Sequence, residues 1–87
     1  MQKAVALAYK KNQDNAPRVI ASGKGLLAQN IITKAKDFNI PLFCNKNLVD
    51  SLLEIQINEE IPQILYDGVV EVFIWLNKLE EKAQMSR

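Results

Sequence analysis

Histidine is absent from the 87 residues, and cysteine occurs once, at Cys44. The first absence removes the commonest general base, the commonest metal ligand and every Ser/His or Cys/His catalytic pairing. The second excludes an internal disulfide and fits a reducing compartment. Cys44 itself closes an apolar run with no imidazole to activate it, so it reads as a small buried hydrophobe rather than a nucleophile. Asp14, Asp37 and Asp50 are separated turn or helix-end residues with no pairing visible from their spacing. No catalytic residue, no metal site and no cofactor is therefore expected. No apolar run approaches the roughly 18 residues that span a bilayer. The N-terminus also lacks the ordered basic, apolar and small-residue segments of a secretory signal, and the expected location is the cytoplasm.

Glycine and proline are scarce, three of each, and their positions punctuate the chain. Gly23-Lys24-Gly25 has neither the further upstream glycine nor the following Ser/Thr of a phosphate-binding loop, and Leu26 comes next. The pair reads instead as a tight strand-to-helix turn that needs positive φ or close approach.

What is present suits one globular domain over residues 1–87, with 48% hydrophobic and 24% charged residues. The net charge of +1 conceals an asymmetry. Residues 1–46 carry eight Lys/Arg against two Asp, and residues 47–87 carry three Lys/Arg against eight Asp/Glu. One reading of that asymmetry is nucleic-acid binding through Lys3, Lys10, Lys11, Arg18, Lys24, Lys34 and Lys36. The other is that the two halves attract each other or are simply solvated. In the basic half Tyr9 and Phe38 offer rings for base stacking, but both read as core residues.

The run Lys3-Ala4-Val5-Ala6-Leu7-Ala8-Tyr9-Lys10 is apolar without alternation, the pattern of a strand buried on both faces. Such a strand so near Met1 gives the impression of a domain whose natural beginning lies upstream. A polar turn follows at Lys11–Asn15, and Pro17 opens a second strand, Arg18–Ser22, because proline cannot donate within a ladder. From Leu26 the spacing turns helical, with Leu27, Ile31, Ala35 and Phe38 near one stripe and Ala28 and Ile32 widening it. Asn39 is a suitable left-handed stop. Ile40–Cys44 reads as a third strand, which makes a βαβ unit with a right-handed crossover. Asn45 or Asn47 can cap a short helix carrying Leu48, Val49, Leu52 and Leu53. Ile55–Asn58 reads as a connector pinned by its two isoleucines. Pro62 suits the first turn of a long C-terminal helix, whose face is Ile61, Leu65, Val69, Val72, Leu76 and Leu79. Val70 and Ile74 fall among Asp67, Asn77, Lys78 and Glu81. They predict either an exposed apolar patch for a partner or a part of the helix covered by the rest of the domain. The fold class is thus α/β: a small mixed sheet of about three strands flanked by three helices, with a βαβ unit and a long C-terminal helix.

In order along the chain stand an apolar strand ending in Tyr9, then Asn15-Ala16-Pro17-Arg18-Val19-Ile20-Ala21-Ser22-Gly23-Lys24-Gly25, then Ile40-Pro41-Leu42. Glu60-Ile61-Pro62, Leu65-Tyr66 and Val69-Val70-Glu71-Val72 complete the set. Across residues 3–80 this resembles the C-terminal cytoplasmic domain of the FlhB/YscU/SpaS family, the export-switch proteins of flagellar and type III secretion systems. In that family a membrane-embedded part precedes the domain. A self-cleaving Asn-Pro-Thr-His motif stands directly upstream of the strand that matches Lys3–Lys10. That motif is absent here, as is any Asn-Pro dipeptide, so self-cleavage is not carried over. The chain begins where the cleaved downstream fragment would begin, and it resembles the stand-alone FlhB-like proteins of some flagellated bacteria.

The resemblance implies a non-enzymatic component of flagellar protein export, acting in substrate-specificity switching in place of the cleaved fragment. The alternative is a small basic-faced nucleic-acid-binding protein. Implied partners are export-apparatus proteins at the cytoplasmic face of the membrane, including a cleaved or truncated FlhB-type membrane protein, and export substrates or a ruler-type protein. The expected binding surface is the polar loop and second-strand entry, Lys10, Lys11, Asp14, Pro17 and Arg18, because a short charged loop between rigid strands presents fixed side chains.

Overall fold

The computed structural model describes residues 1–10 and 13–85, with side chains to residue 80. Two strands, β1 (Lys3–Ala8) and β2 (Arg18–Lys24), pair antiparallel, with Lys3 opposite Lys24 and Ala8 opposite Arg18. The register slips between Ala6, opposite Ala21, and Leu7, opposite Val19, so Ile20 is the unopposed residue of a bulge. Three helices follow: α1 (Leu26–Asp37), α2 (Lys46–Leu52) and α3 (Tyr66–Met85), the last entered through a single 3₁₀ turn at Gln63–Leu65. The α/β class, the three helices and the long C-terminal helix are as the sequence predicts, but α3 starts at Tyr66: Pro62 is extended rather than in its first turn, and Ile61 and Leu65, assigned to its face, precede it.

The third strand and the βαβ unit are not formed among the described residues, where the sheet has two strands. Ile40–Cys44 carries no ladder, for three physical reasons. Pro41 has no N–H to give. The Ile40 N–H is already spent on the Ala35 carbonyl at the end of α1, at 2.8 Å. Phe43 is held instead by Trp75 of α3, ring centroids 5.3 Å apart. The segment that does lie along the outer edge of β2 is residues 58–61. Asn58 N–H donates to Val19 O (2.7 Å), Val19 N–H to Glu59 O (3.1 Å) and Ile61 N–H to Pro17 O (2.9 Å). This strap begins at Asn58, the last residue of the stretch read as a connector; of that stretch's two isoleucines Ile55 packs on the core while Ile57 is exposed. β1 is consequently an edge: among the described residues no ladder pairs its other side. The double burial expected of it reduces to Ala4, the remaining residues of β1 being half-buried.

The core gathers Ala16, Val19, Leu48, Leu52, Ile61 and Val69, with Val5 and Leu7 packed against it from the sheet. The opposite sheet face carries small residues. Ala4 stands opposite Gly23 and Ala6 opposite Ala21, and α1 lies against both strands with Ala28 and Ala35 buried. The buried stripe of α1 is therefore Ala28, Ile31, Ile32 and Ala35. Leu27 and Phe38, expected on it, are 54% and 71% exposed, Leu27 at the margin of the contact with its side chain against Gly23. Gly25 takes φ 60°, which fulfils the turn reading of the glycine pair. Asn39 at φ 57° ends α1, its N–H donating to Lys36 O while that of Ile40 goes to Ala35 O, a Schellman arrangement. The Asn45 side chain accepts from Leu48 N–H at 3.1 Å and caps α2.

Gly23 is a close approach. A Cβ there would stand 2.9 Å from Leu27 Cβ, which cannot move without the helix. Gly23→Ala is expected to lower stability by about 1–3 kcal/mol through displacement of α1. Thermal unfolding checks this, and an unchanged midpoint would mean that α1 is not seated on the sheet as described.

Candidate functional site

The loop between the strands is closed by Lys10 and Asp14. The Lys10 carbonyl accepts N–H bonds from Gln13 (3.0 Å) and Asp14 (2.8 Å), while Lys10 N–H donates to Asp14 Oδ2 at 3.0 Å. Arg18 Nε donates to Asp14 Oδ1 at 3.1 Å, and its terminal nitrogen reaches Asn58 O at 2.9 Å. Asn58 sits at φ 73°, a conformation asparagine tolerates, between its own bond to Val19 and the one it receives from Arg18. On the other side of the loop, Glu60 Oε2 accepts from the N–H groups of both Asn15 and Ala16, at 3.2 Å each. The loop is thus tied to the strap at both ends.

The Lys10 amide, and after it the Arg18 guanidinium, hold the Asp14 carboxyl below its ordinary 3.8. Lys3, bonded at 2.8 Å, lowers Asp50 in the same sense. A carboxylate depressed in the folded state stabilises it above the unfolded pKa, and that contribution disappears as pH falls through the folded value. Acidification below about pH 4 is therefore expected to loosen the loop. Asp14→Asn should remove this part of the acid dependence and leave that of Asp50. Melting midpoints measured from pH 5 to pH 2 check it, and identical slopes for wild type and variant would contradict the ion pair's role.

Beside this loop lies an open apolar groove of about 210 Å³. Its base is the buried trio Ala16, Ile61 and Val69, each under 5% exposed. Pro17 forms part of its wall, as do Tyr9 and Phe73, whose rings are tilted together at 5.7 Å between centroids. Tyr66, Val70 and Asn15 complete the rim. The aromatic pair fixes the end of β1 to α3, so three elements frame one depression.

Of the expected binding residues, Pro17 lines the groove, and Asp14 and Arg18 brace the loop that carries it. Lys10 contributes its backbone, and Lys11 lies outside the described residues. Val70 and Ile74 are both exposed, 51% and 50%, but only Val70 borders the groove. Cys44 is exposed, contrary to the buried reading, since the segment that carries it forms no strand. Phe38 is likewise exposed rather than core, and Tyr9 is 44% exposed with one side on Phe73. Among the described residues no three His, Cys, Asp or Glu side chains are gathered to hold a metal. No helix among them is long and apolar enough to cross a membrane. Sequence reasoning missed the site roles of Glu60 and Asn58. The bonds that define them join residues 40 or more positions apart, which no local pattern reports.

This frame has relatives. The family model described as the FlhB HrpN YscU SpaS family matches residues 1–76. The chain belongs to that family. Within it, the chain is 42% identical to the uncharacterised protein YlqH of Bacillus subtilis over 84 residues, 97% of this chain and 90% of that protein. It is 36% identical over 78 residues to the flagellar biosynthetic protein FlhB of Escherichia coli, covering 88% of this chain and 20% of FlhB. FlhB of Aquifex aeolicus is 34% identical over 74 residues, 84% of this chain and 21% of that protein. The chain thus spans about a fifth of the FlhB relatives and nine-tenths of YlqH. The solved PscU C-terminal domain superposes with a TM-score of 0.83 at 25% identity, over 87% of this chain and 98% of that domain. The native SpaS C-terminal domain superposes at 0.87 over 97% of this chain and 98% of that one; at 15% identity this is a likeness of fold. The two-stranded hairpin, α1, α2 and α3 are accordingly the FlhB HrpN YscU SpaS C-terminal fold.

Proposed function

We propose that the chain is a non-enzymatic docking unit of flagellar or type III protein export, filling the place of the C-terminal domain of a FlhB-type switch protein. The observation that carries this reading is the convergence of Pro17 from the loop and Val70 from α3 on one apolar groove. A depression of about 210 Å³ with aromatic walls has room for one or two apolar side chains. Its occupant is a short apolar segment of an exported protein, and residues 1–87 act as one unit in receiving it. The loop bonds and the Tyr9–Phe73 contact keep the groove formed before binding, which lowers the ordering cost of association.

The edge of β1 that no ladder pairs among the described residues supports a second contact of the same unit. A cleaved or truncated FlhB-type membrane protein adds a strand there, through main-chain hydrogen bonds, and holds the chain at the cytoplasmic face of the apparatus. In that position the chain takes part in the switch between classes of exported substrate. Nucleic-acid binding is less favoured by the geometry. Of the seven basic residues invoked for it, Lys3 and Arg18 are engaged by Asp50 and Asp14.

The test is expression in a flagellated strain whose export-switch protein lacks its C-terminal fragment. Recovery of motility is expected. A stable, soluble protein that restores none would sink the proposal.

A further inference from the structure

We propose that Glu60 is a positioning residue for the groove: its carboxylate sets the Asn15–Ala16–Pro17 wall in the form that receives an apolar side chain. The inference rests on the docking role proposed for the groove. Glu60 does not line the groove itself. It belongs to the 58–61 strap, yet its Oε2 accepts two successive amide N–H groups of the loop, Asn15 and Ala16, at 3.2 Å each. Consecutive amides converging on one anionic oxygen form a small anion-binding concavity, and each bond is charge-assisted, roughly twice as strong as a neutral one.

The bonds on either side are main-chain ones: Ile61 N–H to Pro17 O at 2.9 Å and Val19 N–H to Glu59 O at 3.1 Å. They fix where the strap runs, and neither engages the amides of residues 15 and 16. Glu60 holds both. Ala16 is 4% exposed and forms part of the groove base, so its amide has little access to water once the carboxylate is gone. A buried donor without a partner is costly enough to drive the loop to a new position. Ala16 then leaves its place in the groove base beside Ile61 and Val69. Glu60 thereby acts on the ligand through the loop, which separates its role from that of the lining residues.

The experiment is ¹⁵N NMR on the full chain as wild type, Glu60→Ala and Glu60→Gln, with N-acetyl-leucinamide as the groove probe. In the wild type the probe should give saturable shifts at the amides of Ala16, Val69 and Phe73. Glu60→Ala should weaken its binding at least about fivefold and speed hydrogen exchange at the Ala16 amide at least about tenfold, the scale of one lost charge-assisted bond. Exchange at Ile31 and Ile32 in α1 should stay as in the wild type. Glu60→Gln, whose amide oxygen still accepts, should restore both properties in part. Unchanged Ala16 exchange in Glu60→Ala would overturn the inference, as would faster exchange with unaltered probe affinity. Absence of saturable shifts in the wild type would overturn the docking reading itself, and with it any role of Glu60 in ligand binding.

Discussion

Leu52→Ala is expected to lower the free energy of unfolding by about 2–5 kcal/mol, the cost of deleting a buried leucine and leaving a cavity. Leu52 is 3% exposed in the cluster that joins α2 to Val19, Ile61 and Val69. A domain of this length has only about 4–13 kcal/mol of stability in total. One substitution can therefore remove a large part of it. At about 4–8 °C per kcal/mol, the midpoint should fall by about 10 °C or more. The consequence reaches the groove because α2 seats α3. A Cβ on Gly68 of α3 would approach Leu48 Cδ1 at 2.9 Å, so the Leu48 side chain of α2 packs against the open flank of α3 that Gly68 leaves. Thermal denaturation followed by circular dichroism is the measurement. A fall under about 2 °C would mean that the α2 contact carries little of the fold.

Val70→Glu is expected to do the opposite: little to stability and much to binding. Val70 is 51% exposed, and changes at such positions stay within about 0.5 kcal/mol in stability. It nevertheless borders the groove, where a carboxylate must lose water when an apolar segment docks. Affinity for such a segment should fall roughly tenfold or more. Ile74→Glu provides the control. Ile74 is equally exposed, one turn further along α3, and lines no part of the groove. It should leave affinity as in the wild type. Equal losses from both variants would mean that the whole apolar face of α3, rather than the groove, meets the partner.

Much of this architecture could be read from the chain itself, for local reasons. Gly25 and Asn39 mark the ends of α1 because the left-handed conformation selects glycine and asparagine. Asn45 announces α2 by its side chain, and the spacing of Val69, Val72 and Leu76 announces α3. What failed locally failed for want of tertiary information. Ile40–Cys44 has the composition of a strand, but the edge of β2 it would need is occupied by residues 58–61. Nothing in Asn58-Glu59-Glu60 resembles a strand, and its placement depends on Val19 and Pro17 offering their main-chain groups. The stripe of α1 settles on its Ala28 and Ile32 side, with Leu27 at its margin against Gly23 and Phe38 left exposed. The residues around the groove were legible in halves. Pro17 and Arg18 stood out as a presented loop, and Val70 as an apolar residue out of place. That Pro17 and Val70 border one groove follows only from the packing of Tyr9 on Phe73 and of Ala16 on the core.

The most direct test of the groove as a docking site is photo-crosslinking during export. A photoreactive phenylalanine analogue is placed at Val70 or, as control, at Lys34 of α1, in the strain used for complementation. The account predicts that exported flagellar proteins, identified by mass spectrometry, are captured from Val70 and not from Lys34. Capture from both positions alike, or from Lys34 alone, would contradict it.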